Sequence, residues 1–229
     1  AALIDPVLMI AKIEDSEFAS LQRRLPLFPL AGALLLPGGQ LPLNIFEPRY
    51  LKMTRDALEG SRLIGMVQPT NPGAAENEPE IYRTGCLGRI GRNRETADGR
   101  ILITLVGVCR FHVVEELKVT TPYRQAIVSY ARFRSDFEED NGGDVDRARF
   151  LEIIRAYLSG QGIKADWTTI ATAPTGALVT SLAMVCPFAP SEKQALLEAR
   201  DVNDRARTMT ALMSMAHAGE RATRASGVH

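Results

Sequence analysis

Residues 25–53 read LPLFPLAGALLLPGGQLPLNIFEPRYLKM. Their apolar runs are too short for helices, because Pro26, Pro29, Pro37 and Pro42 interrupt them. Proline lacks a backbone donor, so it suits strand ends, edges and bulges rather than helix interiors or central ladders. The stretch therefore predicts short strands over 25–45, with turns at Ala31-Gly32 and Pro37-Gly38-Gly39, in a curved, irregular sheet. Glu47-Pro48 then opens a helix, since proline fits its first position and a carboxylate suits the positive end of its dipole. Tyr50, Leu51, Thr54 and Leu58 recur at helical spacing, and Gly60 stops the helix.

Outward from this stretch, 63–67 is a short apolar strand. Residues 68–80 are polar and rich in Pro, Asn, Gly and Glu, and predict a surface flap. Residues 83–96 and 100–114 flank Ala97-Asp98-Gly99, a strong hairpin signal. On the second of these runs Ile101, Ile103, Leu105, Cys109, Phe111 and Val113 share one face. Gly107 on that face predicts a bulge or a close backbone approach. Residues 123–133 predict one more strand. Upstream, Ile10, Ile13, Phe18 and Leu21 predict a short helix or an arm.

Residues 134–147 hold Asp136, Glu138, Glu139, Asp140, Asp144 and Asp146 around Asn141-Gly142-Gly143. That composition predicts a solvated connector and a domain boundary. Beyond it the pattern turns helical. Asp144 is the expected cap of a helix over 145–158, ended by Ser159-Gly160. Trp167 falls in a short helix or turn, and 175–185 form a mostly apolar, buried helix. Ser191 with Gln194 resembles a capping box for one long last helix. Ala195, Ala199, Val202, Ala206, Met209, Met213 and Ala216 form its apolar stripe, read as a bundle seam or as a dimer coiled coil. Residues after Gly219 read as frayed. The expected class is α+β: an extension at 1–24, a β-rich subdomain with one helix at 25–134, and an α-helical bundle at 144–218.

The chain has 229 residues, 45% hydrophobic and 24% charged, with 27 basic and 27 acidic side chains. A zero balance argues against a general nucleic-acid binder, which needs excess positive charge to offset phosphates. The two long uncharged stretches, between Arg24 and Glu47 and between Asp166 and Glu192, are broken by prolines and do not read as membrane spans. The acidic start lacks the pattern of a secretory signal. Cys86, Cys109 and Cys186 are scattered in apolar contexts, which suits buried free thiols in a reducing compartment. The expected address is the cytoplasm.

No phosphate-binding G-x-x-x-x-G-K-[ST] string, G-x-G-x-x-G fingerprint or G-x-S-x-G elbow occurs. None of the five lysines sits in an apolar stretch that would depress its pKa. The acids cluster in the connector and flap, where solvated surface is their plain reading, and His112 reads as a strand histidine. No catalytic residue, cofactor or metal ligand is expected. Two clusters remain as candidates for binding. Phe46, expected to be buried, and Arg49 and Tyr50 sit at the strand-to-helix junction, and the flap over 68–80 adds to that candidate surface. Arg89, Arg92 and Arg94, with Arg83 and Arg100, surround the hairpin against only Glu95 and Asp98. The arginines suit carboxylates of an acidic peptide, or phosphates, or simply solubility.

The order of motifs over 25–53 closely resembles the opening of the Lon protease N-terminal, substrate-binding domain. Gly85, the Asp98-Gly99-Arg100 turn, Gly107 with Arg110-Phe111, and Pro122-Tyr123 extend the likeness. So do Trp167, residues 178–183, and Glu192-Lys193-Gln194-Ala195-Leu196-Leu197. The resemblance implies a β pseudo-barrel with one helix followed by a helical bundle. It implies recognition of unfolded or degron-bearing polypeptides. The Lon ATPase and serine-lysine protease domains have no counterpart here, so a free-standing, non-enzymatic module is expected. The alternatives are an adaptor that docks on an ATP-dependent protease, and a small hydrolase with an unrecognised site.

Overall fold

The computed structural model of the protein describes residues 21–71, 79–138 and 142–226, with side chains as far as 216. Most of the expected extension, the middle of the flap, part of the connector and the tail after Ala216 thus lie outside the described side chains. The described residues form two compact units. One holds 21–138 together with Pro187–Leu197, and the other holds 142–186 and 198–226.

The first unit is a six-stranded sheet with one helix on the connection after its second strand. The elements are β1 (Arg24–Pro29), β2 (Gln40–Ile45), α1 (Pro48–Glu59), β3 (Leu63–Val67), β4 (Thr84–Glu95), β5 (Ile101–Glu116) and β6 (Gln125–Ser129). The order is β2-β5-β4-β3-β1-β6, and β6 also pairs with β5. Five strands thus close a ring. The sixteen-residue β5 serves two partners along one edge: its first half pairs with β2 and its last residues with β6. Only β1 and β3 run parallel. The core is the expected face of β5, with Cys109, Phe111 and Val113 packed against Leu25, Leu27, Leu87 and Val128.

Glycines make room for this core. A Cβ on Gly85 would stand 2.5 Å from the Phe111 ring, so the strand opposite Phe111 can carry no side chain there. At Gly107 the close approach expected from sequence is present. Gly107 donates to the Gly39 carbonyl at 2.8 Å and accepts from the Gly38 amide at 2.9 Å, and this docks the Pro37-Gly38-Gly39 turn on β5.

The chain after β6 departs from expectation. The predicted strand over 123–133 is shortened to β6, and a 3-10 turn, Ala131–Phe137, follows. This turn carries Asp136 back onto β5, where Arg110 binds it. The Arg110 amide donates to Asp136 Oδ2 at 2.7 Å, and its Nε and Nη2 donate at 3.0 and 2.6 Å to Oδ1. The two side chains are only 4% and 5% exposed. Asp136 was expected in a solvated connector; it is a buried ion-pair partner instead.

The second unit contains α2 (Arg147–Gly160), α3 (Trp167–Thr172), α4 (Thr175–Val185) and most of the C-terminal helices. Asp146, not Asp144, caps α2, accepting from the Arg149 amide at 3.1 Å. Asp166 caps α3 through the amides of Thr168 and Thr169. The Arg147 guanidinium takes the carbonyls of Ala171 and Ala173, both at 2.8 Å, and so satisfies the end of α3.

The single long last helix is two helices, α5 (Pro190–Glu198) and α6 (Val202–Ser226). Asp201 starts the second by accepting from the Asp204 amide at 2.7 Å, while Asp204 takes the Arg200 amide. Two aspartates that compete for backbone amides break the pattern that the apolar stripe suggested. Val202, Ala206, Met209 and Met213 stay buried in α6, which packs on α2 and α4, but Ala195 on α5 is exposed. Nor does Ser191 cap α5: Glu192 reaches back to the Ala189 amide. Gln194 is used elsewhere. It donates to the Thr84 carbonyl and accepts from Gln68, so α5 belongs with the sheet rather than with the bundle where sequence placed it.

Burial also sets a pH limit on the sheet unit. It pushes the Cys109 thiol and the Tyr50 and Tyr130 phenols up from 9.0 and 10.0. Burial and the hydrogen bond to Asp56 push Tyr123 up to about 12. Each group is neutral when protonated, so the fold retains protons that the unfolded chain gives up. The stability they contribute is complete below about pH 9 and is lost as pH rises from there toward 12. Each group protonated only in the fold lowers stability by about 1.4 kcal/mol per pH unit. Urea midpoints should therefore fall steeply between pH 9 and 11, and a flat profile would contradict these burials.

Candidate functional site

At the junction, α1 begins at Pro48 as its sequence dictates, and Glu47 occupies the cap position without a side-chain capping bond. Its carboxylate instead takes Arg49 at 3.0–3.1 Å. Arg49 also lies over the Tyr50 ring at 4.6 Å. Tyr50 itself turns inward, 7% exposed, with its ring 4.3 Å from that of Phe28. Phe46, expected to be buried, is instead 61% exposed, so of the two aromatic candidates only Phe46 offers a surface contact. The buried face of α1 is Tyr50, Met53, Thr54 and Ala57, one step round from the spacing read in sequence.

The Glu47–Arg49 pair is half exposed, and such pairs contribute about 0–1 kcal/mol. Glu47→Ala and Arg49→Ala should each lower the melting temperature by no more than about 4 °C. A larger loss would mark the pair as a staple of the fold.

Arg89, Arg92 and Arg94 stand together along β4. Period-two alternation from buried Ile90 would turn positions 92 and 94 into the barrel. One extra residue between Ile90 and Asn93 shifts the register with β5 and reverses the facing. Arg94 thereby lies in one outward row with Leu102 of β5 and Asn44 of β2, and Arg89 in another with Val106 and Gln40. Between the rows an open groove of about 710 Å³ is lined by Pro42, Asn44, Leu102, Thr104, Arg92 and Arg94, among others. Phe46 continues the outward face of β2 past Asn44, with Arg100 5.9 Å from its ring. Arg89 is exposed on the same face but does not line the groove.

Charge is unevenly compensated on this face. Arg100 pairs with Asp98, and Arg55 with Glu95. The two acids of the hairpin are thus already used. Arg83 is engaged by the carbonyls of Val113 and Val114. The side chains of Arg89, Arg92 and Arg94 have no ion-pair or hydrogen-bond partner among the described residues. The free edge of β2 is blunted. Because Gly107 bonds Gly39, alternation places Leu41, Leu43 and Ile45 in bonded pairs with β5, and Pro42 faces its missing donor outward. Strand addition at this edge is thereby weakened, and the groove face is left as the better docking surface.

The groove lining holds no serine, cysteine, histidine or carboxylate. All three cysteines are buried and outside any disulfide. His112 is half-buried on β5, opposite Thr84 and Ser129. Among the described residues no helix is long and apolar enough to cross a membrane.

Known proteins similar to this chain include Lon proteases. A Lon protease of Roseiflexus castenholzii is 26% identical over 191 residues, 82% of this chain and 24% of that protein. One from Dictyoglomus thermophilum is 33% identical over 104 residues, 45% of this chain and 13% of that protein. The chain thus spans a quarter or less of the length of these relatives. Two solved structures share the fold. The Lon N-terminal domain protein from Xanthomonas campestris has a TM-score of 0.58 at 23% identity, over 82% of this chain and 97% of that one. The N-terminal domain of Mycobacterium avium complex Lon protease has a TM-score of 0.59 at 16% identity, over 83% and 98%. The family model of the ATP-dependent protease La (Lon) substrate-binding domain matches residues 24–215, and the chain belongs to that family.

Proposed function

We propose that the protein is a non-catalytic recognition module that binds unfolded or degron-bearing polypeptides on the outer face of β2, β5 and β4. One observation carries this reading: an open groove with an apolar floor, flanked by exposed Phe46 and by arginines without partners. Such a surface suits an extended chain, whose side chains find apolar contact while cations select among sequences. A lining without nucleophile or general base supports binding rather than hydrolysis. Buried thiols outside any disulfide favour a reducing compartment, and we place the protein in the cytoplasm.

The test is fluorescence anisotropy with reduced, carbamidomethylated α-lactalbumin, a permanently unfolded chain. Binding is expected, and Phe46→Ala should weaken it at least about fivefold, the size of a modest hot spot, with melting unchanged. No binding by the wild-type protein would sink the proposal; equal affinity for the variant would remove this face from it.

A further inference from the structure

We infer that the groove selects extended segments carrying two carboxylates at positions i and i+2 beside an apolar side chain. The inference rests on the reading above that this face binds polypeptide, and it names which polypeptides.

Charge complementarity points to the occupant. Around the groove every described acidic side chain of the hairpin already holds an arginine, through Asp98–Arg100 and Glu95–Arg55. The cations left over are Arg92 and Arg94 in the lining and Arg89 beyond it, all on β4. A guanidinium binds a carboxylate through two parallel hydrogen bonds, so each presents a fork with one preferred guest.

Spacing narrows the class. Arg92 and Arg94 are two residues apart on a strand, about 7 Å. Side chains i and i+2 of an extended ligand repeat at about the same distance, whereas neighbouring residues point to opposite sides. A segment laid along the groove with its acids toward β4 would bring an intervening or flanking apolar residue toward Pro42 on β2 and Phe46 just after it. Strands β4 and β2 are separated by β5, so this apolar contact lies about 10 Å across from the arginines. A helix would place i and i+2 on different faces and would not fit both arginines. The outward facing of these arginines depends on the β4 bulge, so the recognition row is set by backbone register rather than by loop conformation.

The probe is a fluorescein-labelled twelve-residue peptide with two aspartates two positions apart, flanked by leucines. The controls are the same peptide with asparagines, the same with lysines, and a scramble that places the aspartates next to each other. Wild-type protein should bind the first peptide at least tenfold more tightly than the asparagine version, and more tightly than the scramble. The double variant R92E/R94E should lose that preference and gain affinity for the lysine peptide. R149E, which reverses an exposed arginine of the helical unit, should change nothing. Circular dichroism confirms that the variants fold.

Equal binding of aspartate and asparagine peptides would overturn the inference. So would equal binding of the scramble, which would mean diffuse attraction, or tighter binding of a single-stranded oligonucleotide than of the acidic peptide. If unfolded α-lactalbumin binds while no acidic preference appears, only this inference fails; if α-lactalbumin does not bind either, the reading beneath it fails as well.

Discussion

Arg110→Ala should destabilise the protein by about 3–5 kcal/mol, the range for removing one partner of a buried ion pair. Asp136 would be left charged in a site where it is 5% exposed, having lost the donors Nε and Nη2. Two further contacts would go as well. Arg110 Nη1 donates to the Leu197 carbonyl at 3.1 Å, and the guanidinium lies 4.8 Å from the Phe133 ring. One side chain therefore ties β5, the 3-10 turn and α5 together. A domain of ordinary stability has about 5–15 kcal/mol in total, so the loss is a large fraction. Arg110→Met with Asp136→Leu should lose less than either single change, because no buried charge is stranded. Urea unfolding of the three variants reads this directly. A loss below about 1 kcal/mol for Arg110→Ala would mean that water reaches the pair.

Gly107→Ala should cost about 3 kcal/mol or more, although it adds one methyl group. The new Cβ would stand 2.0 Å from the Leu36 carbonyl oxygen and 2.7 Å from its carbon, both backbone atoms that cannot rotate away. Relief requires moving residues 36–39, which breaks both hydrogen bonds that hold the Pro37-Gly38-Gly39 turn and loosens the buried leucines at 34–36. Gly99→Ala is the informative contrast. Gly99 has φ +81° but open space around it, so it should lose only the left-handed backbone preference, about 1 kcal/mol. Similar melting temperatures for the two variants would show that the approach at Gly107 is soft.

The strands and turns of the sheet unit were readable because proline and glycine act locally. Pro37-Gly38-Gly39, Asp98-Gly99 and the pattern of β5 needed only their neighbours. What was hidden depends on pairing. Whether Arg92 and Arg94 point in or out is decided by one extra residue against β5, and no spacing on β4 alone reveals it. Asp136 sits among five other acids, and composition cannot say which one a distant arginine will bury; the one available signal was Arg110, an arginine within the apolar run of β5 on the face opposite Phe111. Tyr50 was read both on the repeating face of its helix and as a binding residue; the structure buries it with Thr54 on that face, and so removes it from the exposed surface. The break at 199–201 escaped because a continuous apolar stripe outweighed two aspartates that bind backbone amides.

Pro187–Leu197 clusters with the sheet although some fifty residues of helical unit precede it in the chain. Gln68 donates to the Pro190 carbonyl and to Gln194, Lys193 donates to the Gly32 carbonyl, and Arg110 needs the Leu197 carbonyl. A growing chain emerges from its N-terminus, at about 5–20 residues per second. The barrel strands are therefore all synthesised well before the helix that satisfies their buried polar groups. During that interval Arg110 Nη1, the Gln68 amide and the Gly32 carbonyl must rely on water, so the unit stays unfinished for several seconds. Its folding is timed by the completion of translation past residue 197, not by the appearance of its last strand.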